Sequence, residues 1–238
     1  MGRGYGAIRR ADPRLADPVW QALGTAQSVV NIGAGVGSYE PHDREVVAVE
    51  PSAVMIAQRP PGSAPVVQAE AEHLPFADNS FDVAMAVITL HHWNDLHAGL
   101  SEMVRVARDR IVIVTFDPDR ASQQWIVRDY LPEVPRKPAI AEILNVLPPA
   151  EVLPLPIPHD CTDRMFQTLW ARPEEHLDPA VRAATSIWHV VPPAAADRAL
   201  RKLQTDLATG KWDERHGHLR TKPEHDVGLR LIRADLPA

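Results

Sequence analysis

The sequence predicts an α/β protein built on a mostly parallel sheet, and three observations support that prediction. Five short apolar runs recur within the first 120 residues: Val29–Ile32, Val46–Glu50, Val66–Gln68, Val83–Ile88 and Ile111–Phe116. These runs are apolar on both faces, which is typical of parallel strands covered by helices. Between the last two, apolar residues recur at i, i+4, i+7, i+8 and i+11 from Leu96, the spacing of one helical face.

Two helices in this region have recognisable ends. Asn94 or Asp95 is the natural N-cap of the helix that begins near Leu96. Ser52 similarly caps a short helix through Arg59, which the prolines at 60 and 61 terminate.

The second half of the chain differs in composition, because 14 of the 23 prolines follow residue 120. The expected elements are a helix opened by Ser122, an extended segment over 150–161, a helix over 177–188, a capped helix over Asp197–Thr209, a polar loop over 213–226 and a final strand near Asp226–Ile232. Prolines confine the extended segment to a sheet edge or a covering strand.

Composition narrows the function classes. The chain has 238 residues, a net charge of −6 and a pI near 6.0, which argues against nucleic acid as its main partner. No apolar run approaches the length of a membrane helix, so we expect a soluble, cytoplasmic protein that does not enter a membrane. The single cysteine, Cys161, excludes an internal disulfide and a cysteine-based zinc cluster, and we expect no metal site.

The stretch "SVVNIGAGVGSYEPHDREVVAVEPS", from Ser28 to Ser52, indicates a nucleotide-binding strand–loop–strand unit. Its glycines, Gly33, Gly35 and Gly37, follow a G-x-G-x-G pattern. A dinucleotide site of the G-x-G-x-x-G type would need glycine where Ser38 stands, and the Gly-Lys-Ser/Thr of a P-loop is absent. An NAD-dependent oxidoreductase is therefore the least favoured interpretation.

Four segments in a fixed order give this chain its family resemblance: "VVNIGAGVG", "VVAVEPS", "AEAEHLPFADNSFDVAMAV" and "ITLHHWND". With them, the first 120 residues resemble class I S-adenosylmethionine (SAM)-dependent methyltransferases of the type 11 small-molecule group. The resemblance implies a Rossmann-like fold with seven strands in the order 3-2-1-4-5-7-6, the last antiparallel. We expect one domain over 1–238: a SAM-binding half (1–118), a helical cap on the substrate side (119–225) and a final strand (226–238).

The resemblance also implies which residues hold SAM and its product S-adenosylhomocysteine (SAH). The glycine loop would contact the methionine tail, Glu50 the ribose hydroxyls, Glu70 or Glu72 the adenine amino group, and Ile88 or Thr89 the methionine end. Met55 would pack against adenine, although its alternative role is core packing. The full set expected at the cofactor is Tyr5, Asn31, Gly33, Ala34, Gly35, Gly37, Glu50, Pro51, Met55, Glu70, Ala71, Glu72, Ile88 and Thr89.

Two features depart from the family pattern. Asn31 stands where relatives carry an acid, so it supplies no charge for the ammonium group of SAM. Only 13 residues separate Ile32 from Val46, close to the minimum of roughly a dozen for a parallel crossover. We therefore expect little or no first helix, and an opening over the sheet edge near Tyr39.

His91 and His92 follow the fourth predicted strand directly, where the family's methyl group meets its acceptor. Imidazole is suited to removing a hydroxyl proton near neutral pH, and Asp117 after the fifth strand is placed to assist. The alternative is that both histidines only orient the loop and cap the next helix. The sequence favours O-methylation of a small molecule in secondary metabolism. A non-methylating reaction on SAM, such as a cyclisation, and a non-catalytic binding role remain alternatives, and the oligomeric state stays open.

Overall fold

The computed structural model describes residues 8–237, and the chain folds into two compact units. The sheet unit comprises Pro13–Asp117, Lys137–Leu155 and the described residues from Leu229 onward. The helical unit comprises the described residues up to Asp12, Pro118–Arg136 and Pro156–Gly228. Residues 137–155, within the stretch expected to form the cap, belong to the sheet unit.

All seven strands of the main sheet lie in the sheet unit. The strands of the protein are β1 (Ser28–Ile32), β2 (Glu45–Val49), β3 (Val66–Val67), β4 (Phe81–Val87), β5 (Ala107–Phe116), β6 (Ala150–Pro154), β7 (Ile157–Pro158), β8 (Glu224–His225) and β9 (Leu229–Asp235). The main sheet has the order β3-β2-β1-β4-β5-β9-β6. Strands β1 to β5 are parallel, and β9 runs antiparallel between β5 and β6. The predicted fold class is confirmed.

The last strand begins three residues later than expected. Asp226 accepts a hydrogen bond from the Gly228 amide through its side chain, and Gly228 has a φ of 94°. This turn keeps residues 226–228 out of the sheet, so pairing starts at Leu229.

The α-helices of the described residues are α1 (Pro13–Ala22), α2 (Ala53–Ile56), α3 (Leu96–Val106), α4 (Pro118–Ser122), α5 (Ile140–Leu144), α6 (Pro179–Ala183), α7 (Ile187–Val190), α8 (Pro193–Ala208) and α9 (Lys211–His216). All of them except α1, α3 and α8 have six residues or fewer. Asp95 caps α3 by accepting from the Ala98 amide, and the buried stripe of α3 packs into the core beneath the sheet. Ser52 caps α2 as predicted, but that helix ends at Ile56.

The crossover between β1 and β2 contains no helix anywhere in residues 33–44, all of which the structure describes. This confirms the expectation drawn from its length. The expected opening near Tyr39 is wrong, because helix α1, which the sequence analysis did not predict, covers this segment. Trp20 on α1 donates its indole N–H to the Tyr39 carbonyl at 2.9 Å, and Tyr39 is buried.

Several expected elements of the helical unit are also wrong. Ser122 ends α4 instead of opening a helix, and a π-helical turn follows over Ile126–Tyr130. The helix expected over 177–188 is divided among a 3₁₀ turn, α6 and α7, because the Asp178 cap and Pro179 start a new helix there. The helix expected over Asp197–Thr209 is present as α8, but it begins at Pro193, and α9 occupies part of the expected polar loop.

An aromatic cluster forms the centre of the helical unit. The Trp125 ring lies 5.3 Å from Trp212 and 5.6 Å from His176, centroid to centroid, and Phe166 lies 5.1 Å from His176. His176 is fully buried, and neither of its ring nitrogens has a hydrogen-bond partner within residues 8–237. Burial, reinforced by the charges of Arg172 and Arg182, lowers the pKa of His176 to about 3.

This buried histidine makes stability depend on pH. The unfolded chain binds a proton at this side chain below about pH 6.5, while the folded chain does not until about pH 3. The free energy of unfolding should therefore fall as pH drops through this window, by about 1.4 kcal/mol per pH unit and roughly 2 kcal/mol at pH 5. Urea titrations followed by tryptophan fluorescence measure this, and His176→Leu should flatten the dependence. The exposed His189→Leu is the control; a slope unchanged in His176→Leu contradicts the assignment.

Candidate functional site

The loops that follow four neighbouring strands meet at the carboxyl edge of the sheet, the ligand side of open α/β sheets. The glycine loop follows β1, Glu50 follows β2, residues 88–92 follow β4 and Asp117 follows β5. All of these belong to the sheet unit. Tyr5 lies outside the described residues.

The glycine loop is fixed against the loop after β4. Gly33 has a φ of 68°, and a Cβ built on it would lie 2.0 Å from the Thr89 Oγ1 atom. Only glycine fits this position, on both conformational and steric grounds. Ile88, just before Thr89, also has a positive φ of 56°, which is rare for a β-branched residue. This strained backbone carries Thr89 into contact with Gly33.

Glu50 is oriented by two backbone amides. One carboxylate oxygen accepts from the Gly35 amide at 2.8 Å, and the other accepts from the Ser52 amide at 2.9 Å. Each oxygen has a second lone pair, so a carboxylate held in this way can still accept from a pair of hydroxyls. This donor–acceptor arrangement fits the ribose of SAM.

Asn31 lies near the end of β1 and is buried. Its amide nitrogen donates to the Glu40 carboxylate at 3.2 Å, while its Oδ1 has no hydrogen-bond partner among the described residues. Glu40 in turn binds Arg59, whose side chain is also buried. Sequence reasoning missed Glu40 and Arg59, which lie 19 residues apart in the chain.

Residues expected around adenine are only partly brought together. The Met55 side chain is buried, and its Cε lies 3.5 Å from a Cβ built on Gly35. The Ala34 amide is bonded to the Val49 carbonyl, and Pro51 is exposed, with its carbonyl accepting from the Gln68 side chain. These contacts place Met55 beside the glycine loop.

The two carboxylates left open as adenine acceptors differ in their surroundings. One Glu72 oxygen accepts from the Asn94 and Asp95 amides, at 2.6 and 3.0 Å, ahead of α3. Glu70 is exposed, and Ala71 beside it is buried. Glu72 therefore holds the loop before α3, which favours Glu70 as the acceptor.

His91 and His92 form a 3₁₀ turn with Leu90, and their ring centroids lie 4.0 Å apart. His92 is exposed as a residue, but part of its imidazole loses contact with water. This partial desolvation lowers the pKa of the imidazole, and the charge of Lys137 acts in the same direction. Asp117 is half-buried, with its carboxylate 3.6 Å from the Arg230 guanidinium. The lowered pKa favours the neutral form of His92, the ring next to His91, at neutral pH.

The "LPFADNSFD" segment is held by the side chains of Arg105 and Asp82. Arg105 donates to the carbonyls of Leu74 and Phe76 and pairs with Asp78. Asp82 accepts from the amides of Gln27 and Ser28, which lowers the pKa of this carboxyl to about 2. The segment that made the resemblance specific therefore builds the fold.

Other candidate groups are not arranged for chemistry. Across residues 8–237, no three or more of His, Cys, Asp and Glu are grouped as metal ligands. Cys161 is buried, and burial raises the pKa of its thiol to about 12, so it stays protonated. Within the same residues, no helix has the length and apolar character needed to cross a membrane.

A glycine loop after β1 with an amide-oriented acid after β2 defines a Rossmann-like protein whose site fits an adenosyl cofactor. Comparisons with known proteins agree. The profile of a family described as "Methyltransferase domain" matches residues 30–114. A crystal structure assigned as a methyltransferase from an antibiotic biosynthesis pathway of Anabaena variabilis is 30% identical, with a TM-score of 0.86, covering 96% of this chain and 99% of that one.

A demethylmenaquinone methyltransferase of Mycolicibacterium vanbaalenii is 34% identical over 134 residues, 55% of each chain, so the chain spans about half the length of this relative. Geranyl diphosphate C-methyltransferase from Streptomyces coelicolor, crystallised with SAH, shares only the fold: 16% identity, a TM-score of 0.53, and coverage of 93% of this chain and 76% of that one. The chain belongs to the class I SAM-dependent methyltransferases of the type 11 group, and its cofactor is SAM.

Replacing Gly33 with alanine should weaken SAH binding at least about a hundredfold, because the new Cβ displaces Thr89 and the backbone is strained. Gly62→Ala is a matched control. Gly62 has a φ of 83°, but a Cβ built on it lies within 4 Å of no atom of the part of the chain that the structure describes, so only the backbone strain, about 1 kcal/mol, applies. Calorimetry with SAH measures both. Equal affinities in the two variants would contradict the proposed place of Gly33 in the site.

Proposed function

We propose that the protein transfers the methyl group of SAM to a hydroxyl oxygen of a small molecule in natural-product biosynthesis. The observation that carries the proposal is the histidine pair directly after β4, at the same sheet edge as the glycine loop and Glu50. Similarity to a methyltransferase from an antibiotic biosynthesis pathway and to a demethylmenaquinone methyltransferase supports a small-molecule acceptor. The net charge of −6 disfavours a nucleic acid acceptor.

In this proposal the bound cofactor supplies an electrophilic methyl group, and this chain supplies binding and position. Glu50 accepts hydrogen bonds from the two ribose hydroxyls with its remaining lone pairs. Backbone groups of the glycine loop bind the methionine tail, and Met55 and Glu70 recognise the adenine. Positioning of this kind accounts for much of the acceleration of an in-line displacement.

His91 is assigned as the general base. It takes the proton of the acceptor hydroxyl as the oxygen gains the methyl group, and a neutral imidazole is needed for that step. The lowered pKa of His92 favours its neutral form beside His91. Asp117 follows the neighbouring strand, where its negative charge stabilises an imidazolium at His91.

His91→Ala should lower kcat by roughly 100- to 1,000-fold, because the proton acceptor is lost, while SAH affinity stays within about threefold. His97→Ala is the control, since His97 is an exposed residue of α3. Steady-state kinetics and calorimetry measure the two effects. Turnover equal to that of the wild type would remove His91 from the mechanism.

The reaction class is tested first by incubating the protein with SAM and a panel of hydroxylated natural products. Mass spectrometry should show a gain of one methyl group in the acceptor together with release of SAH. A product without an added methyl group, formed without SAH release, would instead indicate a cyclisation or rearrangement. Failure of SAM and SAH to raise the Tm of a well-folded sample would contradict cofactor binding.

A further inference from the structure

The backbone of Gly35, at the centre of the glycine loop, is held by one side chain at its amide and by another at its carbonyl. Its amide donates to Glu50 at 2.8 Å, and its carbonyl accepts from Arg59 Nη1 at 3.2 Å. Glu50 is the group proposed to engage the ribose. Arg59 is therefore the side chain that holds the loop independently of the cofactor.

Arg59 joins four segments of the sheet unit. Its side chain is only 5% exposed. Besides the Gly35 carbonyl, it donates to both Glu40 carboxylate oxygens, at 2.8 and 2.7 Å, and to the Ala64 carbonyl at 3.2 Å. It thus links the glycine loop, the helix-free crossover, the end of α2 and the approach to β3.

Glu40 is the ion-pair partner of Arg59. It is 4% exposed and accepts from the Asn31 amide at 3.2 Å. A carboxylate only accepts hydrogen bonds, so this contact fixes which way the Asn31 amide faces. A Cβ built on Gly37 would lie 2.8 Å from Glu40 Oε2 and 3.1 Å from Arg59 Nη1, so the pair packs directly against the loop.

We propose that the Glu40–Arg59 ion pair positions the glycine loop for the cofactor, in place of the helix and the strand-end acid that this chain lacks. Both are positioning residues, acting through Gly35, Gly37 and Asn31. The inference rests on the proposed function, since it presupposes SAM binding. A buried ion pair adds little net stability compared with apolar residues of similar size. Its retention here is accounted for by the loop geometry that it specifies.

The pair acts through geometry and not through charge, because the carboxylate and guanidinium neutralise each other. SAM carries a sulfonium charge that SAH lacks. Perturbing the pair should therefore lower the affinities for SAM and for SAH by the same factor. A residue that attracted the cofactor by charge would change their ratio.

The decisive variant is Glu40→Leu/Arg59→Met, which removes both charges together and leaves neither partner unpaired. Its Tm should lie within a few degrees of the wild type, while SAH affinity falls about tenfold or more, the equivalent of losing one or two hydrogen bonds. Arg59→Lys provides a second route: one ammonium keeps the charge but cannot serve Glu40 and Gly35 as a fork, so a fivefold to tenfold loss is expected. Calorimetry with SAM and SAH, and Tm without ligand, are the readouts.

Arg110→Met is the matched control, because Arg110 pairs with Asp235 near the start of β5, away from the glycine loop. It should lower Tm without changing SAH affinity. Wild-type SAH affinity in Arg59→Lys, or in a folded double variant, overturns the inference. An affinity loss in Arg110→Met that matches its Tm loss also overturns it, because affinity would then follow stability alone. If the wild type itself binds neither SAM nor SAH, the proposed function fails before the role of the pair is in question.

Discussion

The candidate site depends on the close approach of two loops that follow neighbouring parallel strands. Because β1 lies between β2 and β4, their carboxyl ends converge, and Gly33 meets Thr89 where no Cβ fits. The positive φ of Ile88 brings Thr89 to that contact, at a cost of roughly 1–3 kcal/mol. The buried core beneath the sheet supports this strained arrangement, and the remaining site residues take their positions from it.

Much of the sheet and part of the site could be predicted from the sequence. Parallel strands buried on both faces are uninterrupted apolar runs, so β1, β2 and β4 were found to within a few residues. Glu50 could be singled out because an acid ends the second run, and the structure places its carboxylate against the Gly35 amide. Glu40 and Arg59 were not found, since they are 19 residues apart and only the folded crossover brings them together. A pairing of this kind has no local pattern.

The second half was harder to predict for a different physical reason. Its helices are four to six residues long apart from α8, too short to display a clear apolar period. Packing of aromatic rings around Trp125 and His176 supports those of the helical unit instead, whereas α5 packs into the core of the sheet unit through Ile143. Prolines at 179 and 193 start helices there, whereas a proline in a sequence is more readily taken as a stop. Helix α1 was missed in the same way, because Pro18 lies inside it.

The helix-free crossover has an evolutionary consequence. A helix can lose one side chain and keep its direction, because its order is spread over many backbone hydrogen bonds. In the crossover of this chain, the Glu40 carboxylate and the Arg59 guanidinium supply much of the order that a helix would give. Losing either group alone leaves a buried charge unpaired. Among relatives with an equally short crossover, these two positions should therefore change together, and a lineage that gives up both should regain length between the first two strands.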